Sequence, residues 1–218
     1  MSGDLAGLRV VVSAGPTYED IDPVRFVGNR SSGKMGFAIA AAAARRGATT
    51  ILVAGPVALD TPAGVERRDV RSAAQMHAAV MAALPADVYV GAAAVADFTP
   101  AAFAEGKIKK TPGDEGLVLE LVRTADILAD VATHPRRPRL VVGFAAETGD
   151  LEANALDKLA RKRVDMVAAN RVGVAGSGFE ADDNTLHVFD AGGGRVLGPA
   201  AKTTLADALL DLVAARLQ

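Results

Sequence analysis

Helices packed on both faces of a mostly parallel β-sheet are what this sequence predicts, and three features predict them. Apolar runs rich in β-branched residues recur at positions 10–12, 51–53, 88–90, 140–142 and 166–167, as expected of strands buried on both faces. Segments with helical spacing of apolar residues separate most of them, which supplies the crossovers that parallel pairing needs. Two of the runs end in small residues followed by a carboxylate, Ala93-Ala94-Val95-Ala96-Asp97 and Gly143-Phe144-Ala145-Ala146-Glu147. Ligands of open α/β sheets sit beyond such carboxyl ends.

The helical segments are residues 34–46, 72–84, 151–163 and 203–217. The first carries alanine at every position from 40 to 44, so it offers no bulky ridge and its backbone can lie close to the sheet. The second places Ala73, Met76, Val80 and Leu84 on one face, and the last does the same with Leu205, Leu209, Leu212 and Val213. Two stretches break the alternation. Residues 99–121 read as a lysine-bearing flap, with Gly106-Lys107-Ile108-Lys109-Lys110 facing residues 117–121 across Pro112-Gly113-Asp114. Residues 173–198 hold the alternating Thr185-Leu186-His187-Val188-Phe189 and a turn at Asp190-Ala191-Gly192-Gly193-Gly194, which predicts a C-terminal hairpin near the end of the sheet. With 218 residues and no linker-like tract, residues 1–218 are expected to form one domain.

Composition narrows the function. A formal net charge of −2 gives no global field to draw the chain onto nucleic acid or an anionic membrane. The absence of cysteine removes disulfides, thiolate nucleophiles and cysteine zinc sites. The longest apolar run, residues 35–44, is far short of a membrane span, so a cytoplasmic location is expected. The three histidines, His77, His134 and His187, have no ligand spacing.

The segment richest in chemistry runs through Gly15-Pro16-Thr17, Asp22-Pro23-Val24-Arg25-Phe26 and Gly28-Asn29-Arg30-Ser31-Ser32-Gly33-Lys34-Met35-Gly36. A polar, glycine-bearing loop entering a helix presents backbone N–H groups and a positive dipole end to an anion, and Ser31 and Ser32 add donors. The plainer reading is a helix start whose serines satisfy the chain's own N–H groups. Residues 28–34 also match the G-x-x-x-x-G-K part of a nucleotide-binding P-loop. Met35 stands where that motif needs Ser or Thr for magnesium, and the loop begins about a dozen residues after the first strand rather than directly on it. Asp97 is a candidate contact for ribose hydroxyls, or else a turn carboxylate. Lys107 and Lys109 would share one face of a flap over a polyphosphate, although lysine on an edge strand commonly serves solvation. Gly143 would admit a ligand to the backbone, and Phe144 would stack on a base or simply join the core. Lys158 and Lys162 share a helix face and Asn170 ends a strand, with no use that spacing alone assigns.

Taken together and in order, these blocks closely resemble the phosphopantothenoylcysteine synthetase family, from about residue 7 to residue 217. The resemblance implies a homodimeric Rossmann-like fold and the bacterial branch that uses CTP with Mg2+. In that family 4′-phosphopantothenate attacks the α-phosphate of CTP, giving an acyl-cytidylate and pyrophosphate, and the amine of L-cysteine then displaces CMP. Carried over by motif, Asn29 handles the acyl-cytidylate and Lys107 is the flap lysine on the nucleotide phosphates. Asp97 matches the ribose contact. Gly15, Ser31, Ala93, Ala94, Phe144, Lys158 and Lys162 fall on the nucleotide side, and Arg25 with Asn29 on the substrate side. Many members are fused to an N-terminal flavin-dependent decarboxylase, which makes this chain a stand-alone enzyme or the C-terminal half of a longer one. Asp4-Leu5-Ala6-Gly7-Leu8-Arg9 resembles the junction of the fused proteins. The competing expectations are a P-loop phosphotransferase, which would release a nucleoside diphosphate, and a nucleotide-binding module with no chemical task for Asn29 or Lys107.

Overall fold

The computed structural model describes residues 3–110, 115–171 and 183–218. In chain order the elements are β1 (Arg9–Ala14), β2 (Tyr18–Asp20), β3 (Phe26–Gly28), α1 (Lys34–Arg45), β4 (Thr49–Ala54), β5 (Val65–Asp69), α2 (Ala73–Ala82) and β6 (Val88–Gly91). There follow β7 (Phe98–Pro100), β8 (Leu121–Arg123), α3 (Ile127–Thr133), β9 (Leu140–Glu147), α4 (Leu151–Lys162), β10 (Met166–Arg171), β11 (Asp183–Asp190), β12 (Gly193–Ala201) and α5 (Lys202–Leu217).

One sheet of eight strands runs β12-β11-β10-β9-β6-β1-β4-β5. The six strands from β10 to β5 are parallel, while β11 and β12 add an antiparallel pair at one edge. Numbered among themselves, the parallel strands lie in the order 3-2-1-4-5-6 of doubly wound dinucleotide-binding sheets. The apolar runs of the sequence become the buried centres of β1, β4, β6, β9 and β10. Helices α1 and α5 cover one face, over Val10, Val12, Leu52, Val90, Val142 and Leu186. Helices α2, α3 and α4 cover the other, over Val11, Ile51, Val53, Tyr89, Val141 and Val167.

Local chemistry starts the helices where the fold needs them. Ser72 and Gln75 form a capping box on α2, and the carboxylates of Asp126 and Asp150 accept from Ala129 and Ala153 to cap α3 and α4. The alanine run of α1 packs as its composition predicts, with Ala40, Ala42 and Ala43 fully buried. At the helix start the fit is tighter still. A Cβ added to Gly36 would lie 2.4 Å from the Cβ of Ala14, so only glycine lets α1 cross the end of β1 this closely.

Two expectations need correction. Residues 106–110 are not a strand and do not face residues 117–121; the ribbon is instead β7 with β8, pairing Phe98 with Arg123, Thr99 with Val122 and Pro100 with Leu121. The lysine segment takes its backbone partners elsewhere, at Asp22 and Arg25. Its expected turn, residues 112–114, lies outside the described residues, as do residues 173–182. The C-terminal hairpin is present, with a tighter turn at Ala191 and Gly192 and with Gly193 at a φ of 110°. Gly36→Ala is expected to overpack the α1–β1 crossing and destabilise the fold by about 1–3 kcal/mol, read as a lower urea midpoint at unchanged m-value.

Candidate functional site

From β1 the chain passes to α1 on one face, and from the neighbouring β6 it passes to α3 on the other. That divergence opens a crevice at the carboxyl edge of the sheet. A cavity of about 740 Å3 occupies it. Its floor is a buried pair, the Ser13 hydroxyl and the Tyr89 phenol 2.9 Å apart. Burial pushes the phenol up to about 12, against the smaller opposing effect of its bond to Ser13, so the floor is polar and uncharged at neutral pH.

The rim is residues 92–97, and it is tied from three directions. The Ala92 and Ala94 N–H groups donate to the Ser13 and Gly15 carbonyls at 3.0 and 2.9 Å, continuing the parallel ladder past the end of β6. Ala96 N–H donates to the hydroxyl of Thr17, a fully buried residue, at 2.9 Å. From the far side, the Thr124 hydroxyl donates to Ala96 O at 2.7 Å and Thr124 N–H to Asp97 O at 3.0 Å. Asn29 Nδ2 donates to Val95 O at 2.8 Å. The small side chains at residues 92–94 leave the cavity wall as backbone, while the Asp97 carboxylate stays exposed at its mouth.

The wall on the α4 side is cationic. Lys158 Nζ donates to Phe144 O at 2.6 Å, and burial holds its pKa below the usual lysine value, only partly offset by the charge of Glu147. Lys162, one turn on, pairs with the Asp126 carboxylate that also caps α3. The shared helix face expected of these two lysines is therefore turned to the cavity.

Of the candidate residues, Ser31, Ala93, Ala94, Asp97, Phe144, Lys158 and Lys162 meet on this cavity. Asn29 lines a smaller adjoining hollow of about 330 Å3, with Ser31 and Ser32 on both. Gly15 lies behind the rim, where a φ of 81° and the carbonyl offered to Ala94 make it a turn residue. Arg25 and Lys107 line neither space. The guanidinium of Arg25 chelates the buried Asp22 carboxylate and donates to Ile108 O at 2.8 Å, while Ile108 N–H donates to Asp22 at 3.1 Å. This latch fixes the lysine segment through Ile108 and leaves Lys107 exposed beside it. Hydrogen bonds from Arg25 hold the Asp22 carboxyl well below the ordinary range.

Gly143 does not line the cavity. The space beside it is filled by Leu128 of α3, whose Cδ2 lies 2.6 Å from where a Cβ would stand. Thr124, Asp126, Asn184 and Lys202 line the cavity without having been singled out from the sequence, as does the Ser13–Tyr89 floor. The P-loop expectation fares poorly on geometry, because the β2–β3 ribbon separates β1 from the loop and Ser31 Oγ accepts from Gly33 N–H at 3.2 Å. Among the described residues no three His, Asp or Glu side chains are grouped to hold a metal.

The family model for the DNA/pantothenate metabolism flavoprotein C-terminal domain matches residues 5–217. The chain belongs to that family. The coenzyme A biosynthesis bifunctional protein CoaBC of Vibrio cholerae serotype O1 is 49% identical over 210 residues, covering 96% of this chain and 53% of the relative. The protein of the same name from Escherichia coli K12 is 49% identical over 216 residues, covering 98% of this chain and 53% of the relative. The chain thus spans about half the length of the curated relatives it matches. A crystal structure of the C-terminal domain of a CoaBC protein superposes with a TM-score of 0.84 at 38% identity, covering 99% of this chain and 98% of that one. Asp22→Asn is expected to release the lysine segment, so that trypsin cuts at Lys107, Lys109 and Lys110 several-fold faster at pH 8 than in the parent chain, with the sheet core unchanged by circular dichroism.

Proposed function

We propose that the chain joins 4′-phosphopantothenate to L-cysteine, the synthetase step of coenzyme A biosynthesis, through an acyl-cytidylate formed from CTP. Membership of the family and 49% identity to proteins named for coenzyme A biosynthesis support the pathway. The observation that carries the chemistry is the crevice itself: a nucleotide-sized cavity at the switch point, joined through Ser31 and Ser32 to the hollow that holds Asn29.

A carboxylate does not react usefully with an amine until it becomes an anhydride with a good leaving group. In the first half-reaction the phosphopantothenate carboxylate attacks the α-phosphorus of CTP and pyrophosphate leaves. Two anions must approach, and the cationic α4 wall offsets their repulsion. Lys158 is suited to this because burial has already removed part of its hydration, which lowers the cost of meeting a phosphate. The backbone wall at Ala93 and Ala94 and the Phe144 ring would hold the base, and Asp97 at the mouth would accept from ribose hydroxyls. Lys107 would reach the phosphates by a swing of its segment about the Ile108 tether.

In the second half-reaction the cysteine amine attacks the acyl carbon, CMP leaves, and one proton is lost from nitrogen. The Asn29 amide suits an acyl oxygen at that stage, since it donates without taking up the proton. Mg2+ would arrive on the nucleotide, coordinated by phosphate oxygens, because the described residues build no cage for it.

A second copy of the chain would cover exposed apolar side chains on the two ribbons and the turn between β2 and β3, among them Val24, Phe26 and Val122. A flavin-dependent decarboxylase, fused or separate, would consume the product. No helix among the described residues is long and apolar enough to cross a membrane, and the proposed site of action is the cytoplasm.

Asn29→Asp is expected to keep CTP- and phosphopantothenate-dependent pyrophosphate release within about tenfold of the parent while amide formation falls by about 100-fold or more, the scale of losing one positioned donor. Single-turnover assays of pyrophosphate and of amide product check it, and equal loss of both half-reactions would remove Asn29 from the second step. Release of CDP in place of CMP would instead establish a phosphotransferase.

A further inference from the structure

In the block Gly15-Pro16-Thr17 the threonine has no task in the reaction as described. It lies between β1 and β2, is fully buried, and lines neither the cavity nor the adjoining hollow. A ligand in those spaces does not touch it. Its hydroxyl nevertheless holds the backbone that a ligand would touch.

Past the end of β6 the chain stays in register with β1 for three further hydrogen bonds. Ala92 N–H donates to Ser13 O, Ala94 N–H to Gly15 O, and Ala96 N–H to the hydroxyl of Thr17 rather than to its carbonyl. The exchange of acceptor has a cause. After Thr17 the chain leaves the sheet, Tyr18 N–H donating to Arg71 O at 2.8 Å, and the Thr17 carbonyl lies against Gly28 of β3 instead. The side chain supplies the acceptor that the main chain has carried away. From the other side the Thr124 hydroxyl donates to Ala96 O at 2.7 Å, so threonine side chains hold both main-chain groups of Ala96.

Ala96 is itself buried, and what it fixes is the cavity wall just before it, Ala93, Ala94 and Val95. The N–H groups of Ala93 and Val95 alternate with the three tied to β1 and have no hydrogen-bond partner among the described residues. Free N–H groups beside a cavity are suited to acceptor atoms of a ligand. Bases differ in where those atoms stand: cytosine presents O2 and N3 side by side, whereas the ring nitrogens of adenine are spaced otherwise. A rim of fixed geometry can tell them apart, and a slack one cannot.

We propose that Thr17 is a positioning residue for nucleobase discrimination, its buried hydroxyl acting with Thr124 to set the N–H groups of the rim where cytosine meets them and adenine does not. The assignment rests on the nucleotide site proposed above.

Calorimetric titration of the full chain with CTP and with ATP tests this in the parent, Thr17→Val and Thr17→Ser. Valine keeps the shape but leaves Ala96 N–H buried without an acceptor, while serine keeps the hydroxyl. The expected result in Thr17→Val is CTP affinity about tenfold or more weaker, the scale of a buried donor left unpaired, with ATP affinity changed less than about twofold and Thr17→Ser within about threefold of the parent for both. Unchanged CTP affinity in Thr17→Val overturns the proposal. So does an equal loss for CTP and ATP, or a serine variant as weak as the valine one, since lost packing alone produces either. Should the variants fail to fold, amide exchange in the nucleotide-free parent is the test: Ala96 N–H must exchange as slowly as the β6 amides of Val88 and Val90, and exchange at the rate of an open loop overturns the clamp. Amide synthesis separates this reading from the function. A parent that makes the amide equally well with CTP and ATP overturns the base reading and leaves the ligase standing. A parent that makes none, while Thr17→Val loses CTP selectively, removes the ligase and leaves the clamp.

Discussion

Where α1 crosses the end of β1 there is no room for a side chain, and much of the site depends on that. Gly36 lies so close to Ala14 that the helix start is pressed against the strand end. Ser31 and Ser32 are thereby held at the junction of the two hollows, and the uncapped helix start faces the crevice rather than solvent. A larger residue at either position would lift α1 away from the sheet and carry the loop with it. The glycine has the same physical task as the close-packing glycine of dinucleotide-binding turns, although the loop that carries it follows an inserted ribbon.

The opposite rim is fixed by hydrogen bonds instead of packing. Residues 92–97 carry almost no side-chain bulk to hold them, so Thr17 and Thr124 grip the backbone from two sides while Asn29 takes a third carbonyl. Such a rim leaves backbone groups facing the cavity at defined positions, which is what recognition of a base edge requires. Electrostatics divide the cavity in a complementary way. Asp126 largely neutralises Lys162, whereas Lys158 forms no ion pair among the described residues, donating to the carbonyl of Phe144 and feeling the charge of Glu147 without pairing with it. Of the two lysines on that helix face, Lys158 therefore retains the charge for a ligand.

Much of this was legible in the sequence because burial writes itself into composition. The parallel strands announced themselves as β-branched runs, and the two strand-end motifs placed Ala93, Asp97 and Phe144 at the edge where the cavity opens. What was not legible depends on partners that lie far away in the chain. Strand β5 reads Val-Glu-Arg-Arg-Asp, an edge sequence with no apolar run, and β2, β3, β7 and β8 are three residues each, too short to show a period. The lysine segment looked like a strand because Lys107-Ile108-Lys109 alternates; Ile108 instead lends its backbone to Asp22 and Arg25. Gly143 looked like a ligand approach until Leu128 proved to occupy the space. Asn184 and Lys202 reach the cavity only because the last two strands run antiparallel, and no local pattern states that.

The central claim is that nucleotide binds at the switch point between β1 and β6. The chain is rich in alanine, so its methyl groups report directly when labelled with 13C and titrated with CTP. The account predicts that Ala93, Ala94 and Ala146, which line the cavity, shift first and furthest, while Ala48 and Ala86 at the opposite edge of the sheet stay still. Saturable shifts confined to Ala48 and Ala86, with the cavity alanines unmoved, would contradict it.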